Sequence, residues 1–199
     1  MPTTPVRLPH SGLLVPHTGY TVTSFTGHQT HDGVAFTATL RLNKKAIGVI
    51  QNAGRGGPDT FYSNTAGDHR QKHQDLEDFA ALCTDPRGTT PTLDSVLSDL
   101  VAEYETSRDI ARAAKRGNTL LRLMTDHELG DGPMGWPSPA AYTETSPALA
   151  ADHERLRASL TEDEELAPSA LAWWQIWDAT AGRWIDVTPR PAHLPADPA

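Results

Sequence analysis

Between Gly33 and Asn52 the chain alternates apolar and polar positions with a period of two. Val34, Phe36, Ala38, Leu40 and Leu42 share one side, and Ala35, Thr37, Thr39 and Arg41 share the other. That pattern predicts a half-buried strand. Asn43-Lys44-Lys45 is a short polar turn, and Ala46 to Asn52 is the return strand, so residues 33–52 are predicted to form a β-hairpin. Upstream, Tyr20 to Phe25 alternates in the same way, and Thr60-Phe61-Tyr62 is a candidate third pairing. Beyond residue 70 the period changes. Gln71 to Cys83 sets Leu76, Phe79, Ala80 and Cys83 on one helical stripe. Thr92 to Arg116 is the clearest helix, with Thr92 as N-cap, Asp94 in the first turn, and Arg112, Lys115 and Arg116 ahead of a Gly117 stop. Next in the chain are a strand over Thr119–Met124, a loop over Asp126–Pro139 and a helix over Pro147–Leu160. Leu171–Trp177 and Arg183–Val187 then read as a second hairpin, turning through Asp178 to Gly182.

Two hairpins separated by helices, without regular β-α-β alternation, predict an α+β fold: an antiparallel sheet built from the two hairpins, with about three helices packed on one face. The domain is expected over residues 20–188, with helices within 71–116 and the tryptophan-rich hairpin over 171–187. Met1 to Pro16 and Pro189 to Ala199 hold four prolines each, so 1–19 is predicted to be an extended tail and 189–199 a disordered one.

Composition changes this picture little. A chain of 199 residues with 38% hydrophobic residues suffices for one domain with a real core. Charge is more informative because it is uneven. Residues 1–70 carry six Lys/Arg against three acids, and the remaining 129 carry eleven against twenty-two. The acidic majority opposes non-specific coating of nucleic acid, while a local basic face near the first hairpin stays open. The single cysteine, Cys83, excludes an internal disulfide and is expected to be a buried, inert thiol. No apolar run approaches eighteen residues and the N-terminus lacks a signal-peptide core, so the expectation is a cytoplasmic protein without a membrane partner.

Candidate chemistry gathers at three places. In Asn52-Ala53-Gly54-Arg55-Gly56-Gly57-Pro58-Asp59, glycines would let backbone N–H groups converge on an anion, and Arg55 would fork onto a phosphate or carboxylate. The loop is neither a Walker A motif nor a Rossmann fingerprint, and a tight bend accounts for its glycines equally well. Lys44 and Lys45 join it as candidate binding residues for an anion or partner, although they occupy the opposite end of the hairpin. His28 and His31, with His69 and His73, are candidate metal ligands; two such pairs near one another would build a zinc site, though no His-Glu-x-x-His signature supports it and solvated surface histidines are the simpler reading. Trp173, Trp174, Trp177 and Trp184 fall within twelve residues and suit either a core or a protein interface. No nucleophile elbow is present, and the run Glu162 to Glu165 reads as a solvated turn.

The strand Ala35–Leu40, the run Asn43 to Gly57 and the later Lys115-Arg116-Gly117-Asn118-Thr119-Leu120-Leu121-Arg122-Leu123 carry a resemblance. From Ser24 to Thr125 the layout resembles a family of small proteins from phages and bacterial mobile elements. The resemblance covers about half the chain and brings no activity with it; it implies a phage or bacterial setting and a role in phage–host conflict. The sequence thus points to a non-catalytic accessory protein docking on a protein partner. The alternatives are a nucleotide- or nucleic-acid-binding module using Lys44, Lys45, Arg55, Arg116 and Arg122, and a metal-dependent enzyme using the histidine pairs.

Overall fold

The computed structural model describes residues 4–125 and 137–194. The stretch expected to be one domain, residues 20–188, runs through two compact units, residues 1–107 and 108–199.

The first unit begins earlier than the sequence suggests. β1 (Val6–Arg7) and β2 (Leu14–Val15) pair with each other, and Leu13 and Val15 are buried in the main core. The segment expected to be an extended tail over 1–19 is therefore partly packed. Its apolar residues are too few and too scattered among prolines to show a period. Glu103 fastens it, accepting hydrogen bonds from the backbone N–H groups of His10 (2.8 Å) and Ser11 (2.6 Å) and from the Ser11 hydroxyl (3.0 Å).

Next come β3 (Tyr20–Gln29), β4 (Val34–Leu42), β5 (Lys45–Ala53) and β6 (Thr60–Ser63), an antiparallel sheet whose spatial order is their chain order. The predicted hairpin is β4–β5. Its turn residues Asn43 and Lys44 both take positive φ, 48° and 70°, the pair of left-handed residues whose twist matches that of the flanking strands. One face of the sheet buries Val22, Ala38, Leu40, Ile50 and Phe61. Against it pack α1 (His69–Ala81), preceded by a 3₁₀ turn over Ala66–Asp68, and the first part of α2 (Leu93–Lys115). Leu76, Phe79, Ala80, Val96, Leu97, Leu100 and Val101 complete that core, and Cys83 lies inside it, donating to the Phe79 carbonyl. Thr92 caps α2 as predicted, with its hydroxyl accepting from Ser95 N–H at 3.4 Å. Gly48 on β5 is required by close packing: a Cβ there would lie 2.2 Å from the Tyr62 carbonyl oxygen and 2.5 Å from the Phe61 ring.

In the second unit α2 ends on Gly117 (φ 75°), with Asn118 N–H donating to the Ala113 carbonyl. β7 (Thr119–Thr125), β8 (Ser138–Thr145), β9 (Ala172–Asp178) and β10 (Arg183–Asp186) form a second antiparallel sheet, in the order β10-β9-β7-β8. The fold class is α+β with antiparallel sheets, but the two hairpins belong to separate four-stranded sheets instead of sharing one. The predicted helix over 147–160 is two: α3 (Pro147–Ala150), capped by Ser146, and α4 (His153–Glu162), capped by Asp152, whose carboxylate accepts from Arg155 N–H at 3.0 Å. α4 covers one face of the sheet, burying Leu156 and Leu160 against Leu121, Trp174, Ile176 and Val187. Most of the expected loop over 126–139 lies outside the described residues, and its last two positions, Ser138 and Pro139, are the first two residues of β8. Of the predicted tail over 189–199, residues 195–199 also lie outside them.

Candidate functional site

The glycine loop is built first as a bend. At Gly54 the backbone takes φ 67°, and a Cβ would lie 2.6 Å from the Ala35 nitrogen and 2.7 Å from the Thr30 methyl, so only glycine fits. The Thr30 hydroxyl donates to the Gly54 carbonyl at 2.5 Å. The Asn52 side chain organises the rest of the loop. Its carbonyl oxygen accepts from Gly54 N–H (2.8 Å), and its amide donates to the Gly57 carbonyl (3.0 Å) and to Asp59 Oδ1 (2.7 Å). The second carboxylate oxygen of Asp59 accepts from the Ser98 hydroxyl of α2 at 2.6 Å, anchoring the loop to the helical side of the unit. Every polar contact here is internal, which is what a structural bend needs. Arg55 is the exception: its side chain is exposed and, among the described residues, has neither a hydrogen bond nor an ion pair.

Arg55 stands at the rim of the sheet's outer face, the side opposite the core. Pairing registers arrange that face in three rungs, about 7 Å apart at two residues per step. The rung nearest the loop is His28, Ala35 and Ala53; the middle one is Thr26, Thr37, Gln51 and Thr60, crossing all four strands; the third holds Thr39, Val49 and Tyr62. Gln51 donates to the Thr37 hydroxyl at 3.3 Å, and Ser24 donates to Thr39 at 2.8 Å. Small side chains in the middle, with His28, Arg55 and Tyr62 around them, leave a shallow depression of about 550 Å³. Among the described residues no carboxylate lines it; Tyr62 is half exposed, at 50%. The sequence holds the signal for this face in the polar phase of the strand alternation (Thr37, Thr39), but that phase also describes any solvated sheet surface, so Thr26, Gln51, Thr60 and Tyr62 escape sequence reasoning.

The other candidates fare differently. Lys44 and Lys45 sit at the far end of the nine-residue β5, so they do not join the Arg55 depression. His28 points from the outer face and His31 lies in the β3–β4 connection, 4.0 Å from Asp32. His69 stacks parallel over Phe61 of the inner face, and His73 pairs with Glu77 at 3.5 Å. His28 thus faces away from the side of the sheet on which α1 carries His69 and His73, and among the described residues no group of three or more His, Cys, Asp or Glu is placed to hold a metal ion.

Three of the four tryptophans expected to suit a core or an interface are buried. Trp173 and Trp174 are 1% exposed and Trp184 6%, so these rings are core. Their polar edges are satisfied internally: Trp173 Nε1 donates to Asp186 (3.0 Å) and Trp174 Nε1 to the Leu166 carbonyl (2.7 Å). The Arg122 guanidinium is buried, lies 4.2 Å over the Trp184 ring and donates to Gln175, and the exposed Arg116 is paired with Glu144. Trp177 alone is partly exposed, beside a smaller depression of about 270 Å³.

Burial of Cys83 pushes its thiol up to about 12, as expected of an inert core cysteine. No family model, no curated protein and no solved structure matches this chain.

Proposed function

We propose that this protein is a non-catalytic binding protein that docks a partner macromolecule on the outer face of its first sheet. The observation that carries the reading is Arg55, unpartnered among the described residues, at the edge of a depression that those residues line with hydroxyl, amide and aromatic groups and with no carboxylate. A loop held by Asn52 and Ser98 keeps that arginine at a fixed place without engaging it, and an unengaged cation on a rigid support favours a contact made in trans. The depression is open and shallow, a shape better matched to a surface partner than to an enclosed substrate. The tryptophan hairpin no longer enters as a contact surface. The resemblance to phage and mobile-element proteins would set this docking in phage–host conflict.

The test is co-purification from a bacterial lysate with the wild-type chain and with the double variant Arg55→Glu, Thr37→Arg. The expected outcome is a macromolecule retained by the wild type and lost by the variant. Equal retention by both would refute this face as the docking surface.

A further inference from the structure

We propose that the partner taken up by this face is single-stranded nucleic acid, with a base stacked on Tyr62 and a phosphate held by Arg55. The inference rests on the docking reading and names its partner class.

Three observations converge. First, Tyr62 projects from the sheet's outer face and half its surface is free, so a π-face is available beside a floor of small residues. A base is flat and amphipathic, and every base has a face that stacks on such a ring. Second, the floor offers donors and acceptors in a row across four strands: the hydroxyls of Thr26, Thr37 and Thr60 and the amide of Gln51. Base edges and sugar hydroxyls match that chemistry, and an apolar peptide side chain does not. Third, the charge of the first unit is polarised. Residues 1–63, which include the whole sheet, hold five Lys/Arg against two acids, a net +3, whereas residues 64–107, which include α1 and the start of α2, hold three Lys/Arg against nine acids. Asp59, the carboxylate nearest the loop in sequence, accepts from both Asn52 and Ser98 and does not line the depression. A polyanion is therefore admitted on the sheet side and repelled on the helical side.

The same balance limits the mode of binding. One arginine at the site neutralises few phosphates, so affinity should depend weakly on salt and strongly on stacking. A rigid duplex conceals its base faces and gains nothing from Tyr62.

The test is fluorescence anisotropy with a labelled thymidine octanucleotide, against a duplex of equal length and a polyglutamate peptide. Expected are saturable binding of the single strand, a weakening between about 5- and 100-fold with Tyr62→Ala, and near wild-type binding with Tyr62→Phe, which keeps the ring. The slope of log K against log salt should be shallow and should fall by about 0.7 with Arg55→Ala. Far-ultraviolet circular dichroism of each variant, expected to match the wild type, shows that the loss is not unfolding. No saturable binding of the octanucleotide, tighter binding of duplex or polyglutamate, or indifference to Tyr62→Ala would overturn the proposal. Should the lysate partner still be lost by the face variant while the octanucleotide fails to bind, the docking reading survives and the partner is a protein. If both experiments fail, both readings fall.

Discussion

Gly48 and Asp99 show how single positions carry consequences beyond their size. At Gly48 a methyl group would meet the Tyr62 carbonyl at 2.2 Å, and backbone cannot swing aside as a side-chain tip does. Gly48→Ala is expected to destabilise the first unit by about 2 kcal/mol or more, by pushing β6 from β5, whereas Gly57→Ala, with nothing within 4 Å of its Cβ, should be within about 0.5 kcal/mol of wild type. Chemical denaturation monitored by circular dichroism checks both. Asp99 is the titration counterpart. Burial, then the neighbouring Glu103 and Asp85, raise its carboxyl from 3.8 to about 7. A folded-state value above the unfolded one means that the folded protein holds the proton more tightly. Asp99 is therefore neutral at little cost below about pH 4, and stability drains away as pH climbs toward 7. Asp99→Asn should abolish that decline and raise the melting temperature at pH 8 more than at pH 4.

Elements explain what could and could not be read. The β4–β5 hairpin is legible because its alternation runs unbroken over Val34–Leu42 and its turn residues are polar. β1 and β2 are not, since two-residue strands among prolines show no period; they form by pairing with each other, and the segment that joins them is fastened by the long-range contact of Glu103 with Ser11. β8 carries Pro139, Ala140 and Ala141, which read as loop, and owes its strand form to pairing with β7. The split of 147–160 is visible in principle, because Asp152 three residues before Arg155 is an N-cap signal inside the predicted helix. At the site, Gly54 and Arg55 are legible as a bend plus one unexplained cation, while the outer-face rungs need the registers. The turn offers a further prediction. Lys44 holds φ 70°, a conformation that costs a non-glycine residue about 1 kcal/mol. Lys44→Gly should therefore stabilise the hairpin by roughly 0.5–1 kcal/mol, read as an increased denaturation midpoint, and leave octanucleotide binding unchanged because the turn lies at the far end of β5.

For the whole molecule, the two units have separate cores and unequal optical properties. All five tryptophans lie beyond residue 107, so tryptophan emission reports the second unit. Leu156, which is 1% exposed and packs with Trp174, is the natural probe. Leu156→Ala should cost about 2–5 kcal/mol and lower the midpoint of the emission-detected transition. Strand order adds a kinetic consequence. In the first sheet neighbouring strands are consecutive in the chain, and no pairing spans more than the 22 residues between Tyr20 and Leu42. In the second, β7 must find β9 across 47 to 55 residues, from Thr125–Ala172 to Leu121–Ile176. Closing the longer loop loses more chain entropy before any contact is gained, so the meander should nucleate early and the second sheet should wait. On refolding, amide protection in β4 and β5 would then precede native tryptophan emission, and the face that carries Arg55 and Tyr62 would be assembled while the rest of the chain is still searching.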